Sequence, residues 1–213
     1  MDTSSLAALC REFIEDDLVV LDDESKRPFE CAGLAVYKQM PRLVVRPGST
    51  EQVQEAMRVC KHHGVPVVVR GAGTGLSGGA LPHPEGVLLS LTRLSRILEI
   101  DPEARLARVQ PGVRNLEISE ACDTHGLFYA PDPSSQIACS IGGNVAENAG
   151  GVHCLKYGLT VHNVVQVTVV TVDGEIISIG NEGLDSAGPD LLALIIGSEG
   201  MLGIVTEVTV RLL

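Results

Sequence analysis

One loop constrains this chain more than any other feature. Arg70-Gly71-Ala72-Gly73-Thr74-Gly75-Leu76-Ser77-Gly78-Gly79-Ala80 directly follows the apolar run VPVVVR (65–70). Five glycines in nine residues leave backbone N–H groups unobstructed by Cβ atoms. Such a loop can fold into a concave nest of amides around phosphate oxygens. Thr74 and Ser77 can add hydroxyl donors. Two familiar phosphate loops are excluded. A Walker loop needs GxxxxGK[ST], and this loop has no Lys. The dinucleotide fingerprint GxGxxG is met at Gly71 and Gly73, but the third glycine stands at 75 rather than 76, and Leu-Ser-Gly-Gly-Ala-Leu-Pro does not open a helix. These residues alone leave open a ligand-free surface turn, or an unrelated fold that holds a different diphosphate.

A second tract narrows the choice. Pro131-Asp132-Pro133-Ser134-Ser135 leads into Ser140-Ile141-Gly142-Gly143-Asn144-Val145-Ala146-Glu147-Asn148-Ala149-Gly150-Gly151. So many small residues let a bulky flat ligand lie against the backbone. Asn144 and Asn148 offer amides for carbonyl and ring-nitrogen recognition.

Around these tracts the hydrophobic pattern predicts an α+β chain. Leu6, Leu9, Cys10 and Phe13 give an opening helix over 5–16, and the polar stretch 22–41 loops over the surface. RLVVRP (42–47) is a short strand. Ser49 and Gln52 form a capping box for a helix that buries Val53, Ala56, Met57 and Cys60 and ends at Gly64. VPVVVR reads as a strand buried on both faces, so strand–helix–strand predicts a parallel pair. GVLLSL (86–91) follows, and then a hairpin of 97–101 with 105–112. A helix over 114–126 buries Ile118, Ala121 and Cys122, with Leu116 nearby. Residues 131–158 read as irregular. Asp173-Gly174 turns a hairpin within 164–180, 189–197 is a short helix, and 203–213 is a strand. The expected architecture is two subdomains divided near residue 100. The first is a small parallel α/β unit and the second a mainly antiparallel sheet with helices. Residues 1–40 form an N-terminal helix and surface segment, and 41–213 form the main domain.

Composition closes off other classes. The net charge of −11 argues against a nucleic-acid partner, which needs clustered Lys and Arg. No apolar run is long enough to span a bilayer, and the acidic N-terminus is unlike a signal peptide. Cys10, Cys31, Cys60, Cys122, Cys139 and Cys154 form no CxxC pair, so the expectation is reduced, mostly buried thiols, no metal site and a cytoplasmic location. His62-His63 is explained by the favourable dipole at a helix end. His153 and Cys154 admit a metal or catalytic role, but one His and one Cys do not make a metal site.

RGAGTGLSGGA, PDPSS…SIGGNVAENAGG, HCLKYG (153–158) and GSEGMLGIVTEVTVRL (197–212) stand in this order, and together they resemble the FAD domain of the vanillyl-alcohol-oxidase/p-cresol-methylhydroxylase flavoprotein superfamily over roughly residues 40–213. HCLKYG after AGG is similar to the glycolate oxidase D-subunit branch rather than the D-2-hydroxyglutarate dehydrogenase branch. Cytochrome-linked D-lactate dehydrogenases are also similar.

The resemblance implies FAD as cofactor, with its pyrophosphate on Gly71, Ala72, Gly73, Thr74 and Gly75 and with Leu76 and Ser77 adjacent. Pro131, Asp132, Ser140, Gly142, Gly143, Asn144, Asn148, Gly150 and Gly151 would line the isoalloxazine and adenosine side of the groove. Gly203, Ile204 and Val205 would offer backbone groups to the adenine edge. Some members attach flavin through a His in the first loop. Thr74 occupies that position here, which implies dissociable FAD. The implied reaction oxidises a 2-hydroxy acid to a 2-oxo acid by hydride transfer to flavin N5. In this family the base and the carboxylate clamp belong mainly to a C-terminal cap domain, which is not among these residues. No catalytic residue is therefore assigned, and these residues alone are expected not to turn substrate over. The implied partners are other oxidase subunits, including an iron–sulfur subunit, which would hold the protein at the inner membrane.

Overall fold

The computed structural model describes residues 1–181 and 188–213. Its first half builds a four-stranded sheet. A helix α1 (Thr3–Cys10) leads to a short strand β1 (Val19–Val20), a one-turn helix α2 (Asp23–Lys26), strand β2 (Leu43–Val45), helix α3 (Thr50–His62), and strands β3 (Val67–Arg70) and β4 (Val87–Ser90). The order is β1-β2-β4-β3. β4 runs parallel to both β2 and β3, and β1 pairs antiparallel with β2.

This order corrects two expectations. β2 and β3 are parallel but not adjacent, because β4 lies between them. β3 is a half-buried edge strand, and the continuously buried strands are β2 and β4. An apolar run does not say which strand takes the centre; the later run Val87–Leu89 does.

Helix α3 buries Val53, Ala56, Met57 and Cys60 on one face, as their spacing requires, and the chain leaves it through Gly64 at φ +64°. Only half of the capping box forms. Ser49 Oγ accepts the Gln52 N–H, whereas Gln52 Oε1 accepts the N–H of Gly48 rather than that of Ser49. Helix α1 stops at Cys10, short of the expected 16. Ile14, Leu18 and Val19 then continue into the same core, so the N-terminus forms part of the first sheet's packing.

The second half is antiparallel. Strands β5 (Ile97–Asp101), β6 (Leu106–Val109), β7 (Val164–Val170), β8 (Ile176–Gly180) and β9 (Ile204–Arg211) form one sheet in the order β5-β6-β9-β7-β8. The two expected hairpins, β5–β6 and β7–β8, are present. Helix α4 (Asn115–Cys122) buries Ile118 and Cys122 together with Asn115, while Ala121 and Leu116 are half-buried. The tract 131–158 is less irregular than its glycines suggest. It contains helix α5 (Ile141–Glu147) and a single turn α6 (Cys154–Tyr157). After it come the turn α7 (Thr160–Asn163) and helix α8 (Leu191–Ile195). The chain is thus α+β with two sheets, and the first core reaches the second at Val170 and Ile204, where β7 ends and β9 begins. That junction is where the site forms.

Candidate cofactor site

At the end of β3 the chain turns back on itself around Arg70. Gly73 holds φ +73°, and a Cβ there would stand 2.5 Å from Arg70 Cζ. Only glycine enters that left-handed region freely. Arg70 is 9% exposed. It donates to the Cys31 carbonyl at 2.6 Å and lies 5.9 Å from the Phe29 ring centre, and burial pulls its pKa below the ordinary value. Gly33 braces the loop as well: its N–H donates to the Gly75 carbonyl at 3.2 Å. The N-terminal segment therefore holds the glycine loop from behind. On the other side, the N–H groups of residues 72–79 donate to no backbone acceptor among the described residues. Amides left free in this way are what a phosphate nest needs.

Helix α5 closes the opposite wall. Ser140 caps it, with Oγ accepting the Gly143 N–H at 3.4 Å. The N–H groups of Ile141 and Gly142 are already taken by the carbonyls of Val113 and Pro111, each at 2.8 Å. Two glycines in seven helical residues oppose helix propensity, but here they permit close approach. A Cβ on Gly142 would stand 2.6 Å from Pro111 Cβ, and one on Gly71 would overlap Ser140 Oγ. The third wall is the start of β9, where a Cβ on Gly203 would come 3.1 Å from the Val170 carbonyl.

Between the walls lies a cavity of about 410 Å³. Of the residues proposed from sequence, Gly71, Ala72, Gly73, Thr74, Gly75, Leu76, Ser140, Gly142, Gly143, Asn144, Gly203, Ile204 and Val205 line it. Ser77 stands at its rim, where its hydroxyl donates to Glu147 Oε2 at 2.9 Å and ties the loop to α5. Pro131, Asp132, Asn148, Gly150 and Gly151 lie outside its lining. They have packing partners instead. Asn115 Nδ2 donates to the Pro131 carbonyl, Asn148 Oδ1 accepts the Val161 N–H, Gly150 packs on Leu159, and Gly151 packs on Asp132. Sequence reasoning missed Leu91, Pro111 and Glu199, all in the lining. The available signals were Pro111-Gly112 and the Ser-Glu-Gly at 198–200, separated by two residues from Gly203 in the chain.

The cavity suits a dinucleotide that carries a flat ring system. Loop residues whose amides have no backbone acceptor line it, and Val69, Leu91, Val145 and Ile195 supply apolar wall. Asn144 is 3% exposed, and its Nδ2 has no hydrogen-bond partner among the described residues. An unpaired buried donor costs roughly 1–3 kcal/mol, which an acceptor on a bound group removes.

Comparison with known proteins agrees with this chemistry. A family model described as an FAD binding domain matches residues 41–180. The chain is 60% identical over all 213 residues to the glycolate oxidase subunit GlcD of Escherichia coli strain K12, covering 43% of that protein. It is 41% identical over 197 residues to a D-lactate dehydrogenase of Anaerostipes hadrus, 92% of this chain and 41% of that one. It spans less than half the length of these relatives. Its backbone is similar to p-cresol methylhydroxylase with substrate bound, at a TM-score of 0.84 and 21% identity, over 99% of this chain and 43% of that one. With a cavity of this chemistry and a family match over most of its length, the chain belongs to the FAD binding domain family.

Proposed function

We propose that this chain is the FAD-holding part of a flavin-dependent 2-hydroxy-acid dehydrogenase of the glycolate oxidase D-subunit type, which oxidises a 2-hydroxy acid to the 2-oxo acid. The observation that carries this reading is the 60% identity to a glycolate oxidase subunit over the whole chain. When bound, FAD supplies the acceptor that takes the α-hydrogen as hydride. The chain's own residues bind and orient. The amides of 72–79 hold the pyrophosphate, Asn144 Nδ2 donates to an acceptor on the cofactor, and the Gly203–Val205 backbone faces the adenine. Residues 41–213, divided near residue 100, form the FAD-binding unit, and 1–40 lead into it.

The flavin is held noncovalently. Thr74 stands where some relatives carry the linking His, and no His lines the cavity among the described residues. A second reading takes D-lactate as the substrate, supported by the 41% identity to a D-lactate dehydrogenase. Other oxidase subunits, an iron–sulfur subunit among them, would receive the electrons in the cytoplasm beside the inner membrane. No helix among the described residues is long and apolar enough to cross a membrane.

The test is anaerobic incubation of glycolate or D-lactate with the FAD-loaded chain, alone and extended by the cap domain of its glycolate oxidase relative, while flavin absorbance is followed. Bleaching by either hydroxy acid, and none by acetate, is expected of the extended protein, and no bleaching of these residues alone. An extended protein whose flavin a chemical reductant bleaches but neither hydroxy acid does counts against the reading.

A further inference from the structure

The wall of the FAD cavity carries an unexpected charge for a phosphate site. Among the described residues that line it there is no Lys, Arg or His, and there are two carboxylates, Glu147 and Glu199. Arg70 stands behind Gly73 rather than in the lining, and it donates to the Cys31 carbonyl. The phosphates would therefore lie on neutral amides with carboxylates facing them.

Glu147 is the last residue of α5, and it faces the glycine loop. Its Oε2 accepts the Ser77 hydroxyl at 2.9 Å. Its Oε1 lies 3.6 Å from where a Cβ on Gly75 would stand, and 3.9 Å from one on Gly79. The hydroxyl that the sequence offered to a phosphate is given to a carboxylate instead. Helix stability does not explain this placement. A carboxylate in the last turn opposes the negative end of the helix dipole, and Glu147 forms no ion pair among the described residues. Glu199 is pinned to the same turn. Its backbone N–H donates to the Ala146 carbonyl at 2.9 Å, and it holds φ +55°, a left-handed conformation that costs a non-glycine residue energy. One turn earlier in α5, the buried, unpaired Asn144 Nδ2 marks this wall as a ligand surface.

Charge then separates two kinds of phosphate. Each phosphate inside a pyrophosphate diester carries one negative charge, whereas a terminal phosphomonoester carries about −1.5 to −2 at neutral pH. The loop amides attract both, and Glu147 repels the second more. One further unit of charge at about 4 Å from a carboxylate changes affinity by about fivefold even in water.

We infer that Glu147 sets the cofactor specificity of this loop: it admits the internal pyrophosphate of FAD and disfavours ligands that end in a phosphate, such as FMN or ADP. The placement of the pyrophosphate rests on the FAD reading above; the role of Glu147 rests on this geometry.

The test is calorimetric titration of the flavin-stripped chain with two ligand pairs, FAD against FMN and ADP-ribose against ADP. Glu147→Gln keeps the shape and an oxygen for the Ser77 hydroxyl and removes the charge. It should strengthen FMN and ADP by about fivefold relative to FAD and ADP-ribose. High salt should narrow the wild-type preference and leave that of Glu147→Gln unchanged, because Glu147 is exposed and its field is screened. Glu103→Gln removes the same charge between β5 and β6, outside the cavity lining, and should alter neither preference. A Glu147→Gln chain that melts as wild type and binds the four ligands in unaltered ratio overturns the inference and leaves the FAD reading standing. Folded wild type and Glu147→Gln that both take up no FAD overturn the inference and the FAD reading together.

Discussion

Gly73 and Gly75 are two residues apart and answer differently to a side chain. At Gly73 the backbone is left-handed and the guanidinium of Arg70 fills the space, so Gly73→Val disturbs the fold itself. At Gly75 the nearest atom to an added Cβ is Glu147 Oε1 at 3.6 Å, an ordinary contact. Gly75→Val should therefore keep a wild-type melting profile, while Gly73→Val melts earlier, by roughly 1–3 kcal/mol for the strained residue. Paired thermal melts decide this, and equal losses in both variants would refute it. Asn144 gives the complementary case. Asn144→Leu removes an unpaired buried amide, so the FAD-free chain should be at least as stable as wild type. The same change removes a donor to the cofactor and should weaken FAD binding by about tenfold. Unchanged FAD affinity would show that Nδ2 does not meet the cofactor.

At the scale of elements, burial sets a pH limit on the contact between α1 and α3. Burial pushes the Cys10 thiol up to about 11 and the Cys60 thiol, also beside Cys10, up to about 12, from an ordinary 9.0. The unfolded thiols ionise first, so this stabilisation is complete below pH 9.0 and is lost as pH rises through about 11 to 12. Urea midpoints should fall over that window, and Cys60→Ala should flatten the fall. A parallel fall in both proteins would rule the thiols out. Most elements were legible in the sequence because their periodicity and caps are local. Val53, Ala56, Met57 and Cys60 share one face of α3 as their spacing requires, and Asp173-Gly174 turns the hairpin. Strand order was not legible, since β4 enters between β2 and β3 through contacts no local pattern records. Helix α5 was hidden because glycine reads as a breaker, whereas here it admits Pro111. Of the site, the walls at Gly71–Gly75 and Gly142–Gly143 were legible from their runs of small residues, and the wall at Gly203 only from the family resemblance. The outward displacement of Asp132, Asn148, Gly150 and Gly151 was not, because packing partners decide it.

At the scale of the molecule, the two sheets meet where β7 ends and β9 begins, and the FAD cavity opens at that junction with walls drawn from both halves. On the proposed placement of FAD neither half holds the cofactor alone, so flavin binding should report on the whole fold and raise its melting temperature. Thr74 in place of a linking His means that acid precipitation should release the flavin into the supernatant; colour retained in the washed pellet would show a covalent bond. The placement of FAD itself is tested most directly by stripping the chain of flavin, adding FAD to wild type and to Gly75→Val, desalting both, and reading flavin absorbance per folded chain. Wild type should retain stoichiometric FAD, and Gly75→Val, equally folded, should retain almost none, because its added side chain occupies the space of the pyrophosphate. Equal flavin in the two proteins would mean that the cofactor does not lie against this loop.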